Sequence, residues 1–164
     1  GGAQRLDALI KKEQSLTLLN SPLDLSAEAR GMKRLLRVQD ELGSYQGIVA
    51  ATTRDSLVDK KEILLRFIKG FYQSVNWLTE TANKEDAINI LISKMQNMPR
   101  TVAEKAYIVL LDPKNGIYRD LKIDREGMKT VLRLRSTYAI PSKSLQNPEL
   151  YIDETLLREA LNRQ

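Results

Sequence analysis

Residues 60–80, KKEILLRFIKGFYQSVNWLTE, form the longest unbroken helical pattern of the chain and hold both phenylalanines and the single tryptophan. Leu64, Phe67, Ile68, Phe71, Val75 and Leu78 recur at steps of three and four, which at about 3.6 residues per turn places them on one face. That stripe is expected to be buried. Tyr72 and Trp77 fall off it, which predicts a second contact and puts the helix inside a layered domain. Gly70 in the helix interior costs about 1 kcal/mol relative to alanine, so a close helix crossing is expected there.

Before this helix the apolar runs are short. Residues 16–19 stop at Asn20, Ser21 and Pro22, the pattern of a buried strand running into a loop, and residues 33–38 and 47–53 are two further strand candidates, with Gly43 at the turn between them. A brief helix over residues 24–30, closed by Gly31, separates the first two. Strand, helix, strand, loop, strand predicts an α/β fold. Ligands of such sheets sit beyond the strand ends, which makes Asn20, Ser21, Tyr45 and Gln46 positions of interest.

A short helix is also expected almost at the first residue, since Leu6, Leu9 and Ile10 share a face. Its unpaired N–H groups after Gly1 and Gly2 could hold an anion. A cloning remnant ahead of a frayed helix is the competing reading of the same residues. Beyond Asp59 the pattern is helical. Asn83 caps a helix carrying Ile88, Leu91, Ile92 and Met95 that ends at Pro99. Thr101 and Glu104 are spaced as a capping box, and Asp112 to Gly116 is a turn. Asp124 caps a helix ending near Tyr138, and Asp153 caps the last, with Leu156, Leu157, Ala160 and Leu161 as its buried stripe. About five helices thus follow the short strands.

The chain has 164 residues, no Cys and no His. Disulfides, thiolate metal sites and thiol catalysis are excluded, and the commonest general base and metal ligand are absent. No apolar run approaches the roughly 20 residues of a spanning helix. No Walker loop, dinucleotide fingerprint or helical pair of metal ligands is present. No catalytic residue, metal or cofactor is therefore expected. The carboxylate pairs Glu85 with Asp86 and Asp153 with Glu154 lie in first helical turns, where acidic residues favour the helix dipole. A net charge of +5 makes anionic partners worth testing. Lys122, Arg125, Lys129 and Arg133 form a basic stripe, but no aromatic residues alternate with them as a stacking platform requires, and a solvated helix face explains them as well.

The order Arg5-x-x-Ala8-Leu9, Pro22, Gly31, Tyr45-Gln46-Gly47, Thr53-Arg54 and Trp77-Leu78 resembles the nitrate, sulfonate, taurine and pyrimidine-precursor group of ABC-transporter solute-binding proteins. Asn83-x-x-x-Ala87-x-x-Ile90-Leu91, Tyr107, Asp112-Pro113-x-x-Gly116 and Tyr151-Ile152-Asp153 are similar to its C-terminal portion. The resemblance covers nearly the whole chain through order and spacing.

It implies a partial type II periplasmic-binding-protein fold. Residues 1–58 would be the remainder of the second α/β lobe, and residues 59–164 a helical return packing on the first. It further implies a non-catalytic component that binds a small anion or pyrimidine-like solute, delivers it to an ABC permease, and works in the periplasm or outside the cell at the membrane. Nucleic acid is not an expected partner, although a basic helical nucleic-acid-binding or protein-interaction module is the alternative. The matching ligand positions are Gly2, Ala3 and Gln4 at the first helix and Asn20 and Ser21 in the loop, with Tyr45 beside them, which favours the anion reading of the first helix. Because most of the first lobe would precede Gly1, apolar helix faces are expected to want cover, from a second copy or from the missing N-terminal lobe.

Overall fold

The computed structural model describes residues 1–95 and 97–162. Among these there are nine α-helices and no strand: α1 (Gly2–Ile10), α2 (Leu23–Glu28), α3 (Val38–Leu42), α4 (Arg54–Asp59), α5 (Lys61–Thr79), α6 (Lys84–Lys94), α7 (Arg100–Leu110), α8 (Arg125–Tyr138) and α9 (Thr155–Asn162). Single 3₁₀ turns lie at Thr81–Asn83 and Pro148–Leu150. The chain divides into two units, Gly1–Leu35 with Asn76–Ile117 and Leu36–Val75 with Tyr118–Gln164, so the division falls within α5.

The expected α/β fold, a partial type II periplasmic-binding-protein sheet with strands in the first third, is overturned. Residues 16–19, 33–37 and 47–53 are irregular, and Val38 opens α3. A strand persists only where a neighbour takes its N–H and C=O groups and one face is covered. Neither condition is met here. Leu16, Leu18, Leu35, Leu36, Ile48 and Val49 are all exposed, and the Leu18 carbonyl accepts from Nε of Arg5 at 2.9 Å. A short apolar run marks a segment fit for burial without supplying the surface that buries it.

In the first unit, α6 and α7 pack against each other and α2 lies against α7. Ile88, Leu91, Ile92 and Met95 follow the helical step on α6. They meet Val102, Ala103 and Ala106 of α7, Leu25 of α2 and Met98 from the connection, with Ile88 fully enclosed. The alanines let the two helices approach closely. The last carbonyls of α5 would be orphans. Asn83 Nδ2 donates to Trp77 at 2.9 Å and the Tyr107 hydroxyl donates to Leu78 at 2.9 Å, so the C-terminus of α5 is closed by side chains of this unit. The Thr101 capping box does not form. Helix α7 begins two residues earlier, with Pro99 at the N-cap position, and Glu104 turns back to Nε of Arg100 at 3.0 Å. The turn from Asp112 forms as expected, and a side chain at Gly116 would strike the Leu110 carbonyl oxygen.

In the second unit, Leu65 and Val75 of α5, Leu132 of α8 and Ala160 of α9 are buried. Lys61 reaches Glu159 at 2.9 Å and ties the start of α5 to α9. The stripe foreseen for burial on α5 is only partly covered. Leu64, Ile68 and Leu78 are half-buried, as are Tyr72 and Trp77, whereas Phe67 is 58% exposed and Phe71 46%. The two rings stack at 6.2 Å, with exposed Ile63 one turn before them. Nothing lies within 4 Å of a Cβ built on Gly70, so the close crossing expected there is not made.

In urea titrations Ile88→Ala is expected to lower stability by roughly 2–5 kcal/mol, as emptied cores do, and Phe67→Ala by about 1 kcal/mol or less. An equal loss in the two variants would mean that the stripe is covered in solution.

Candidate functional site

Gly2, Ala3 and Gln4 form the first turn of α1, and the Gly1 amino group donates to Oε1 of Gln4. A Cβ on Gly2 would stand 2.8 Å from Cδ1 of Leu23, so glycine lets the first turn of α1 press on the first turn of α2. Asn20 and Ser21 lead directly into that helix, with the Asn20 carbonyl accepting from the Leu23 N–H at 2.9 Å. Both are exposed. Five of the six expected ligand residues therefore belong to the paired starts of α1 and α2 in one unit. Tyr45 belongs to the other unit.

Around Tyr45 the second unit builds a different cluster. Asp124 caps α8, accepting from the Glu126 N–H at 3.0 Å, from the Ser44 hydroxyl, and from the Gly127 N–H and Tyr118 hydroxyl. The Asp124 N–H in turn donates to Oε1 of Gln46 at 2.9 Å. A Cβ on Gly127 would come 2.7 Å from the Gln46 nitrogen and 3.0 Å from the Tyr45 carbonyl carbon, so the segment lies flat on the helix start. Burial pushes the Asp124 carboxyl up, but these hydrogen bonds outweigh it and hold the group below its ordinary value. The Tyr118 phenol is pushed up, by burial first and then by the Asp124 charge. These bonds fasten residues 44–46 and Tyr118 to the start of α8, so the cluster acts as a latch.

The sequence marks Asp124 as a cap but gives no sign that Ser44 and Tyr118 reach it. One is 80 residues away, and only tertiary placement joins them.

The basic stripe is not a row of free cations. Lys122 pairs with Asp120 at 3.1 Å, Arg125 with Glu149 at 2.8 Å and Glu154 at 3.3 Å, and Lys129 with Glu126 at 2.7 Å. Its hydrogen bond to Arg125 comes first in lowering Glu154, against a smaller opposing effect of burial. Arg133 alone of the four has no acidic partner among the described residues.

Among the described residues no group of three or more His, Cys, Asp or Glu side chains is placed to hold a metal ion, and no helix is long and apolar enough to cross a membrane. No family model, curated protein or solved structure matches the chain.

Because the folded value of Asp124 lies below the unfolded one of about 3.9, its stabilisation is complete above that pH and is lost as pH falls through the folded value. Asp124→Ala is expected to cost about 1 kcal/mol near neutrality. Circular dichroism melts from about pH 6 down to pH 2 should show a smaller acid-induced loss for Asp124→Asn than for the unsubstituted chain, and parallel curves would remove Asp124 from that dependence.

Proposed function

We propose that this chain is a non-catalytic segment of the solute-binding component of an ABC transporter, presenting a small anion or pyrimidine-like solute to a permease at the outer face of a membrane. The observation that carries it is the pressing of the α1 start onto the α2 start. It brings Gly2 against Leu23, two residues beyond the exposed Ser21, and the family resemblance marks Ala3, Gln4, Asn20 and Ser21 for ligand contact. Helix N–H groups and the macrodipole favour negative charge there, and the short polar side chains can orient a planar or tetrahedral solute.

Thermal shift against nitrate, alkyl sulfonates and pyrimidines tests this directly. A ligand at about 100 times its dissociation constant adds about 2.7 kcal/mol of stability, a readily measured rise in Tm. The shift should shrink in Asn20→Ala and Ser21→Ala, and a panel without a single responder would overturn the solute assignment.

A protein-interaction module is the second reading, favoured by the open stripe of Ile63, Phe67 and Phe71. The cover would come from a second copy or from a further segment of a longer polypeptide. Sedimentation velocity should show concentration-dependent association that Phe67→Arg abolishes. A monomer throughout, with no exposed-hydrophobe dye binding, would exclude self-association and an open stripe together.

A further inference from the structure

Arg133 is the unpaired member of the α8 stripe, and its surroundings differ from those of Lys122 and Arg125. Lys129, Arg133 and Ser136 follow the helical step at i, i+4 and i+7, so they rise along one face of α8. Opposite them run residues 143–146, and between the two is an open cavity of about 450 Å³. Lys143, Ser144 and Gln146 complete its wall. The segment is pinned to the helix. Oγ of Ser136 accepts from the Leu145 N–H at 2.9 Å and donates to the Leu145 carbonyl at 3.2 Å.

No carboxylate lines this cavity. Lys129 is neutralised by Glu126 at 2.7 Å. Neither Arg133 nor Lys143 has an ion-pair or side-chain hydrogen-bond partner among the described residues. Arg133 on the helix and Lys143 on the pinned loop therefore line the cavity as two cations without a carboxylate of their own. The wall also offers the Ser144 hydroxyl and the Gln146 amide as neutral donors.

We infer that the cavity between α8 and residues 143–146 binds the phosphoryl group of a small phosphomonoester. A phosphoryl dianion matches the two uncompensated cations in charge. The planar fork of Arg133 can take two of its oxygens, and the Lys143 ammonium a third. The volume lies within the roughly 300–1,000 Å³ of small-molecule pockets, which leaves room for the organic part of the ester at the open side. A nucleic-acid strand is a poorer occupant. It needs free cations spaced along its backbone, and the stripe's other cations already hold carboxylates. The site shares no residue with the α1 and α2 starts and does not depend on the solute assignment made there.

Isothermal titration of the full chain with phenyl phosphate and with inorganic phosphate at low ionic strength tests the assignment. Saturable binding at one equivalent is expected for both, with phenyl phosphate at least as tight. Arg133→Gln and Lys143→Gln should each weaken it by about tenfold or more, as lost charge-assisted hydrogen bonds do. Lys143→Gln leaves α8 untouched, so a folding defect in the helix variant would not obscure the result. Lys122→Gln, which removes the same charge from a paired position, should leave the affinity within about twofold. Arg133→Lys should recover part of the loss. Absence of saturable binding overturns the proposal. So does a Lys122→Gln loss equal to that of Arg133→Gln, which would reduce the effect to net charge. Tighter binding of a single-stranded oligonucleotide that is weakened equally by all three glutamine variants would replace the small-anion pocket with an extended polyanion surface.

Discussion

Helices of fewer than about 12–15 residues are marginal in water, and seven of the nine here have 11 residues or fewer. Each therefore stands only as long as something covers its apolar face. In the first unit that cover is mutual. Ile88 has no exposed surface because α2, α6, α7 and the Met98 connection close around it. Two side chains, Asn83 and Tyr107, extend the support by taking the carbonyls at the end of α5. In the second unit polar ties carry more of the load. The Asp124 latch, Lys61 with Glu159, and Arg125 with its two glutamates join segments distant in sequence, but exposed ion pairs contribute little each. A unit held this way has spare apolar surface, and α5 shows it.

That contrast explains which parts of the fold were legible in the sequence. Helix positions were: α5, α8 and α9 fall close to where periodicity and caps indicate, because those signals are local, whereas α6 ends at Lys94, ahead of Pro99, and the Asn83 side chain serves α5 in place of capping α6. The strands were not. The segment around Ile48 and Val49 has the composition of a buried strand, but a sheet requires a neighbour, and the described residues supply none. The α5 stripe is the same error in reverse. Phe67 and Phe71 were correctly assigned to one face, and their ring stack follows from the four-residue step between them. Periodicity reports what a face is fit for and says nothing of whether a partner is present. Gly70 follows the same logic, as a glycine suited to a close crossing with nothing crossing it.

The site residues were legible to a similar depth. Gly2 and the Asn20 and Ser21 turn were grouped through the family resemblance, and the structure brings Gly2 against Leu23, at the start of the helix that this turn leads into. Tyr45 was grouped with them by resemblance and lies beside Gly127 in the other unit. Ser44 and Tyr118 could not be tied to Asp124 from spacing, since a hydroxyl that reaches a cap from 80 residues away leaves no periodic trace. Arg133 was counted with the stripe, yet its distinction comes from what Lys122, Arg125 and Lys129 have and it lacks.

Pairing, more than total charge, decides what anion a basic protein of this kind can select. With a net charge of +5 the whole surface draws anions at long range, an attraction that salt screens and that distinguishes one phosphate from another poorly. Selectivity begins where a cation has no carboxylate of its own and cannot swing away to find one. Lys122, Arg125 and Lys129 would each have to surrender an ion pair to a ligand, so the gain at those positions is a difference between two similar contacts. Arg133 and Lys143 have no such pair to surrender among the described residues. Their loop is fixed to α8 through Ser136, which lowers the conformational entropy that binding must overcome. The same reasoning separates the two anion-favouring places on this chain. The α1 start offers backbone dipoles and suits a weakly charged or planar solute, while the α8 cavity offers two cationic side chains and suits a dianion.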